Sequence, residues 1–471
     1  MLRCKTLVGL VTPSTSSGIF ISHQRRYIAP IVRYKHKFKT SKTSIEEVLT
    51  PWHNVPYVEQ LYRKRIDTEN MMIQLLDLLK TKRTPKWALE SQNHLACPVE
   101  DVIPSPDVDH YRNAATFAVG LNQSGDICVG SVLTQGVIVD PSKCLHTTQD
   151  IDRIRSFFQR FVQSYRNELD LPLKPYTRDH RGVWRMIEAR HYKKSNRGFA
   201  MLQISSNEMS SEELRHLKEK LVEVIDADES GKEVIQCLAL QIYNGVSVAP
   251  VGTPYEVLWG DLDQVYEYLS DQKFLIRPNS FFQVNVAAAE SMFQSIQKWT
   301  GGKNVTLLDL CCGTGVIGIS LARTVKRVFG IDIVPDAIAS AHLNQKINGV
   351  QNAKYICGDI VQALPNLLKD LKIEPEDDIV AVLDPPRAGV PKKVIQAIRG
   401  CDKINRLIYI SCKEEGGVQN GHELCKISTL KTRPFVPVTS FCVDMFPHTA
   451  HKEVIILYER STGDDGKKGF K

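Results

Sequence analysis

VTLLDLCCGTGVIG, residues 305–318, decides the fold of this chain. Its first six residues read as a buried β-strand, which stops at a glycine turn and opens directly into a helical pattern. Gly313, Gly315 and Gly318 fit GxGxxG. In such a turn the missing side chains let the chain bend, bring backbone N–H groups to a ligand, and let helix and strand pack closely. A nucleotide-like cofactor is the first expectation.

Alone, the motif suits a nicotinamide cofactor as well as S-adenosylmethionine, and glycines after a strand are often only a loop. The following strands narrow the choice. A strand at 328–331 ends in Asp332, about twenty residues after the first glycine, where a carboxylate can accept hydrogen bonds from both ribose hydroxyls. A strand at 354–357 leads to Asp359, and one at 379–383 ends in Asp384-Pro385-Pro386. Three acids at successive strand ends make a polar rim along one edge of a parallel sheet. Oxidoreductase domains rarely need a DPP there, whereas methyltransferases acting on planar nitrogenous rings often do.

The 471 residues are 42% hydrophobic, enough to bury a full core in two or three domains. No run is long enough to cross a bilayer, so no membrane partner is expected. The net charge of +7 suggests nucleic acid, but its location argues otherwise. Residues 1–45 hold Arg3, Lys5, Arg25, Arg26, Arg33, Lys35, Lys37, Lys39 and Lys42 and no acid, which leaves the remainder close to neutral. An Arg-rich, Ser/Thr-rich, acid-poor start with a processing point at Arg25-Arg26-Tyr27 reads as a mitochondrial transit peptide over 1–42, giving a matrix address. A disordered basic RNA-binding tail or a secretory signal are the rival readings. The twelve cysteines are scattered without a CxxC, which suits a reducing compartment and predicts neither zinc nor a cysteine-ligated iron-sulfur cluster.

Residues 43–108 begin with helical spacing, punctuated by Pro51 and Pro56, and form a helical N-terminal segment. Over 109–270 the pattern turns to short strands at 115–121, 127–133, 184–190, 199–204, 234–243 and 255–259, with helices at 150–169 and 211–224. This predicts an α+β RNA-recognition domain. Within it Arg178, Arg181, Arg185, Arg190, Lys193, Lys194 and Arg197 gather around a hairpin turn at 193–198, interleaved with Trp184, Tyr192 and Phe199. Cations that meet phosphates and aromatics that stack on unpaired bases predict a single-stranded or loop RNA contact, although charge runs are commonly just solvated faces. A local patch on a neutral body favours selective binding. Residues 271–460 form the doubly wound, Rossmann-like α/β domain, and 461–471 is a polar, disordered tail.

Three further elements suggest the reaction. Phe281-Phe282-Gln283-Val284-Asn285 precedes a helix at 287–300 that would cover the cofactor cleft. After a strand at 407–410 come Ser411-Cys412, on the same sheet edge as Asp384. The run 444–451, DMFPHTAH, leads to Glu453 on a last strand at 454–458. C5 of uracil is too poor a nucleophile to take a methyl group unaided. A thiolate adding to C6 makes the ring an enolate that can, and a base must then remove the C5 proton so that the thiolate can leave. A free cysteine, with a pKa of roughly 8.5, also needs a site that favours the thiolate. The base must leave its RNA stack at a cost of a few kcal/mol, part of which an aromatic such as Phe281 could recover. Taken singly, Cys412 is more often a core residue, Glu453 a strand-edge charge, His448 and His451 structural hydrogen-bonders, and Gln283 a helix cap. Their joint order points to the chemistry.

FFQVN, LLDLCCGTG, the Asp332 strand end, LDPPRAGV, YISC and DMFPHTxHxE resemble, in order, the signature of the S-adenosylmethionine-dependent RNA uridine-C5-methyltransferases, and within them the mitochondrial tRNA (uracil-5-) branch. The likeness is strongest over 271–458, and Tyr111-Arg112-Asn113 resembles the start of the family's middle domain. It implies Cys412 as nucleophile, Glu453 as proton-abstracting base, and Gln283, Asp332 and Asp384 around cofactor and target uracil. It also implies S-adenosylmethionine as cofactor and the tRNA T-loop uridine as target, with ribosomal RNA, the small subunit's in particular, as sister substrate. A monomer is expected. Lys413-Glu414 stand where the family has Asn-Pro, and Cys311 and Val316 depart from the first motif. The single Cys97 and the helical start favour the tRNA-type branch over the iron-sulfur ribosomal one.

Three rivals remain at this level. An adenine-N6 methyltransferase also uses DPP but follows it with an aromatic, where Arg387 stands here. A cytosine-C5 enzyme shares the thiol addition but places its cysteines in other motifs. A noncatalytic RNA-folding or assembly factor could keep the fold. The enzyme reading requires Cys412 and Glu453 to face a common base.

Overall fold

The computed structural model describes residues 44–461, apart from 81–83, 92–93, 134–135, 169–180, 247–248, 251, 279 and 428–431. The expected transit peptide, Arg178 and the tail beyond Ser461 lie outside the described residues.

Three helices open the described residues: α1 (Ile45–Leu49), α2 (Tyr57–Leu79) and α3 (Lys86–Leu89). Ser44 and Glu47 start α1 with a reciprocal capping box, which satisfies two of the free N–H groups at that end. A seven-stranded sheet follows, with β1 (Ala114–Leu121), β2 (Ile127–Val132), β3 (Ile138–Val139), β4 (Trp184–Tyr192), β5 (Arg197–Ile204), β6 (Cys237–Ile242) and β7 (Glu256–Gly260) in the order β3-β2-β1-β4-β5-β6-β7. Helices α4 (Gln149–Glu168), α5 (Ser211–Ala227) and α6 (Glu229–Val234) belong to this part. Phe157, Phe158 and Phe161 of α4 and Leu217, Leu221 and Ile225 of α5 share one core with Phe117, Ile187 and Leu238 of the sheet. Residues pointing to the opposite face of β4, β5 and β6 (Tyr192, Phe199, Met201, Cys237, Ala239) join a second core with Phe274, Phe282 and Met292. The middle and C-terminal parts are thus welded by apolar packing.

β8 (Tyr266–Leu269) and β9 (Gln272–Leu275) form a hairpin across the expected boundary at 270/271, which places that boundary in a tight turn and not in a linker. The C-terminal domain continues with α7 (Val286–Thr300), β10 (Gly302–Leu310), α8 (Val316–Leu321), β11 (Val325–Asp332), α9 (Pro335–Ile347), β12 (Ala353–Cys357) and α10 (Ile360–Asp370). Then come β13 (Asp378–Leu383), α11 (Lys392–Gly400), β14 (Ile404–Ser411), α12 (Glu414–Cys425), β15 (Phe435–Val443) and β16 (Glu453–Arg460). Its strands run β12-β11-β10-β13-β14-β16-β15. The first five are parallel and β16 enters antiparallel between β14 and β15. Strand order reverses between β10 and β13, the switch point where open α/β sheets bind ligands beyond their carboxyl ends.

β15 was not expected from the sequence. Pro437 interrupts its pattern, and the structure accommodates it on the sheet edge with a register shift between Pro437 and Thr439, where a missing N–H is tolerated. The N-terminal segment is no separate body. Met71, Met72, Leu75, Leu76 and Leu79 of α2 enter the core beneath Ile456 and Tyr458, and Val99 and Ile103 bridge in parallel to Ser440 and Val443 of β15.

Candidate active site

β10, β13 and β14 run parallel and end together, with Leu310 opposite Leu383 and Leu383 opposite Tyr409. β16 runs the other way, so its first residue arrives at the same edge. Ser411 pairs with Val454, which puts Cys412 and Glu453 one position past the last rung, on neighbouring strands. Asp384, one residue past β13, donates its backbone N–H to the Leu310 carbonyl at 3.4 Å. Cys412, Glu453 and the DPP acid are thus brought to one edge of the sheet.

Cys412 is half-buried. Burial first, and the Glu453 carboxylate second, push its thiol up to about 11, while Arg387 pulls it down. Burial holds the Glu453 carboxyl well above the usual carboxylate range, with Asp384 adding to the rise and Arg387 opposing it. Burial likewise takes Asp384 up to about 7. A proton leaving the thiol therefore has two carboxylates of high basicity in electrostatic reach.

Arg387 was read from the sequence only as a departure from an aromatic. It sits in a turn closed by the Gly389 N–H on the Pro386 carbonyl at 2.7 Å. The buried Asn420 of α12 fixes that turn, accepting from the Val390 N–H at 2.8 Å and from the Tyr409 hydroxyl at 2.8 Å. Arg387 is thereby held beside the first turn of α12, which begins two residues after Cys412. The sequence signal was a cation three residues after the DPP acid.

The glycine turn fits a nucleotide-like cofactor. Gly313 has φ +53° with open space where a Cβ would be, whereas a Cβ at Gly315 (φ +80°) would lie 2.9 Å from the Tyr355 ring. The buried Asp309 accepts from the Gly318 N–H at 2.9 Å through one oxygen, and its other oxygen has no partner among the described residues. Asp332, at the end of β11, accepts from the Gly313 N–H and the Val334 N–H, each at 2.9 Å. Each carboxylate oxygen keeps a lone pair for a hydroxyl. Asp359 instead caps α10 and pairs with Lys393, so the third acid of the rim is structural.

Gln283 and Phe281 lie on the segment leading to α7. Asn285, not Gln283, caps that helix. The Gln283 carbonyl accepts from the Asn113 amide at 3.1 Å, tying the segment to the start of the middle domain. Phe281 is 72% exposed, an apolar ring standing free for a stacking partner. His448 is an anchor as expected: its Nε2 lies 2.6 Å from Asp109, and its backbone N–H donates to Gln60.

The expected RNA patch on the β4–β5 hairpin needs correction. Trp184, Tyr192 and Phe199 are fully buried and cannot stack on bases. Arg190 pairs with Glu188 and donates to the Ser280 carbonyl at 2.9 Å. Arg185 donates to Gln203 and to the Gly245 carbonyl and lies over the Tyr243 ring. Alternation along the strand turned these side chains toward neighbouring elements. Lys193 stays 77% exposed at 3.4 Å from Asp107, and Lys194 pairs with Glu290.

A family model described as tRNA (Uracil-5-)-methyltransferase matches residues 261–461. Human tRNA (uracil-5-)-methyltransferase homolog A is 34% identical over 441 residues, spanning 90% of this chain and 69% of the relative. Human homolog B is 33% identical over 431 residues, spanning 88% and 84%. Among solved structures, the Pyrococcus abyssi tRNA (uracil-54, C5)-methyltransferase in complex with S-adenosyl-L-homocysteine aligns with a TM-score of 0.61 at 20% identity, covering 89% of this chain and 88% of the other. That likeness establishes a shared fold.

Proposed function

The chain belongs to the tRNA (uracil-5-)-methyltransferase family, and on that premise we propose that it makes 5-methyluridine in the T-loop of mitochondrial tRNA through a covalent Cys412 adduct. The observation that carries the mechanism is the placement of Cys412 and Glu453 just past the Ser411–Val454 rung, with Asp384 one residue past the end of the next strand. A noncatalytic RNA-folding factor would have no need to keep those three groups at one edge.

The Gly313–Gly315 turn and Asp332 would hold S-adenosylmethionine, which would supply an electrophilic methyl group. Cys412 loses its proton to the Asp384 carboxylate, which leaves Glu453 free for the later step, and its sulfur bonds to C6 of uracil, sending the C5=C6 electron pair into an enolate. Arg387 steadies the negative charge while it resides on the sulfur. Once C5 carries the methyl group, Glu453 removes the C5 proton. The double bond then reforms and the S–C6 bond breaks, returning its electron pair to Cys412. The raised Glu453 carboxyl suits this step, because a carboxylate of higher pKa is the stronger base. Phe281 offers the displaced base a stacking face.

The mitochondrial address rests on the acid-free, Arg-rich residues 1–45. Two measurements test the whole reading. The full chain is incubated with tRNA transcripts and S-adenosylmethionine, and nucleosides are identified by mass spectrometry; 5-methyluridine in the T-loop is expected, and its absence from folded, tRNA-bound protein rejects the activity. Imaging of the tagged chain with and without residues 1–42 tests the address, which fails if both distribute alike.

A further inference from the structure

Gln60, Lys64 and Thr68 recur every four residues along α2, and all three are buried. Positions i, i+4 and i+8 share one helix face, and a buried face normally carries apolar side chains. One turn further on α2 obeys that rule with Met71, Met72, Leu75 and Leu76. The polar stripe therefore calls for a reason.

Its partner is the link between β15 and β16. The Lys64 ammonium, wholly buried, pairs with the equally buried Asp444 carboxylate and donates to the Phe446 carbonyl at 3.0 Å. The Gln60 side-chain oxygen accepts from the His448 backbone N–H at 2.7 Å, and its amide donates to the Val55 carbonyl at 2.9 Å. The Thr68 hydroxyl closes back on the Lys64 carbonyl at 2.8 Å. From the other side the Asp444 N–H donates to the Ile103 carbonyl at 2.9 Å. Val443, just before the clamped link, is the cross-strand partner of Glu453. The clamp thus begins one residue from the position opposite the base and ends a few residues before the base itself.

A buried ion pair is a weak source of stability, because desolvating both charges offsets their attraction, and apolar replacements of similar volume often serve as well. Where such a pair persists, its best-attested use is to fix one arrangement among several. We propose that Gln60 and Lys64 are positioning residues for proton removal: by clamping the 444–448 link they aim the Glu453 carboxylate at C5 of a uracil already bonded to Cys412. The inference rests on the reading of Glu453 as the base. It confines the action of Gln60 and Lys64 to the last step, since Cys412 is delivered by β14 and α12, and α12 meets α2 further along, at Met71 and Gln74, outside the clamp.

The test uses the full chain with tRNA carrying uridine or 5-fluorouridine. Lys64→Met combined with Asp444→Asn removes both charges, so neither is left buried alone, and Gln60→Ala is a milder second variant that carries the same readouts if the first does not fold. The expected result is a fall in kcat of about tenfold with KM within about twofold. Adducts with 5-fluorouridine tRNA should form at the parent rate, and covalent protein–RNA complex should build up on ordinary tRNA. Parental turnover in both variants, or loss of 5-fluorouridine adduct in proportion to turnover, overturns the positioning role. Absence of any adduct from the parent protein overturns the Cys412 reading itself, and this inference with it.

Discussion

Cys412 and Glu453 occupy facing positions at the open end of two antiparallel strands, immediately beyond the Ser411–Val454 pair. On the proposed mechanism, a planar ring entering that end would meet sulfur from one strand and carboxylate from the other. Strand geometry sets this spacing more firmly than loops could, since neighbouring strands lie about 4.8 Å apart along the hydrogen-bonding direction. The departures at Lys413 and Glu414 do not disturb it. Lys413 is extended and stands at the N-cap position of α12 without a side-chain capping bond, and the Ser411 hydroxyl donates to its carbonyl at 2.8 Å.

Replacing either partner should stop turnover in different ways. Cys412→Ala should give no covalent complex with tRNA containing 5-fluorouridine. Glu453→Gln should accumulate covalent complex with ordinary tRNA, because addition proceeds and elimination stalls. Denaturing gel shifts of labelled tRNA separate the two, and methylation of uridine by the alanine variant would remove Cys412 from the mechanism.

Arg387 lowers both the Cys412 thiol and the Glu453 carboxyl, so Arg387→Ala should raise both. The adduct rate at pH 8 should drop about tenfold, the effect of roughly one pKa unit, and because the parent thiol already titrates at about 11, the deficit should persist across pH 7 to 10. Arg387→Lys should retain much of the parent rate. Stopped-time adduct assays across pH 7 to 10 provide the profile, and an unshifted profile would deny Arg387 this role.

Burial raises Asp309 to about 7, above its ordinary value near 4. A carboxyl raised on folding contributes stability that is present below its unfolded pKa and is lost as pH rises through its folded one, here between about 4 and 7. His146, held down to about 3 mainly by burial, works in the opposite sense, so a single melting curve mixes the two. Comparing variants isolates Asp309: relative to the parent, Asp309→Asn should gain stability from pH 5 to pH 8 in the cofactor-free protein. A difference in melting temperature that stays constant with pH would contradict the raised value.

Arg190→Ala should destabilise the fold by about 2 kcal/mol, less than for a fully buried pair, since it leaves the partly buried Glu188 without its partner. Lys193→Ala, at an exposed pair, should cost less than about 1 kcal/mol. Urea unfolding decides between them, and equal midpoints would place Arg190 on a solvated face after all.

Phe281→Ala should leave the melting temperature unchanged, because the ring is mostly in solvent. It should weaken productive tRNA capture by about tenfold, the scale of one lost base–aromatic stack. Adduct formation at limiting enzyme measures this directly, and parental rates would exclude the stack.

The residues of the proposed site could be placed at one sheet edge from the sequence because they sit at strand ends, and strand ends are marked by a change of period and by glycine or proline. Asp384 after β13, Cys412 after β14 and Glu453 at the head of β16 all stand where those breaks occur. Arg387 was missed because its effect comes through a turn whose anchor, Asn420, is thirty residues distant in the chain. The Lys64–Asp444 pair was hidden for the same reason across a separation of 380 residues. The β4–β5 patch misled because one-dimensional charge density does not reveal which side chains a sheet turns inward.

The bridges from Val99 and Ile103 to Ser440 and Val443 join residues far apart in the chain. On the ribosome, the apolar flank of α2 (Tyr57–Leu79) must wait until synthesis reaches β15 and β16 (Phe435–Arg460) before its partner strands emerge. Contacts so far apart close slowly, and uncovered apolar helices invite association in the meantime. Biosynthesis of this protein should therefore lean on chaperones until the final strands are released, and C-terminal truncations should precipitate rather than leave a soluble shorter enzyme.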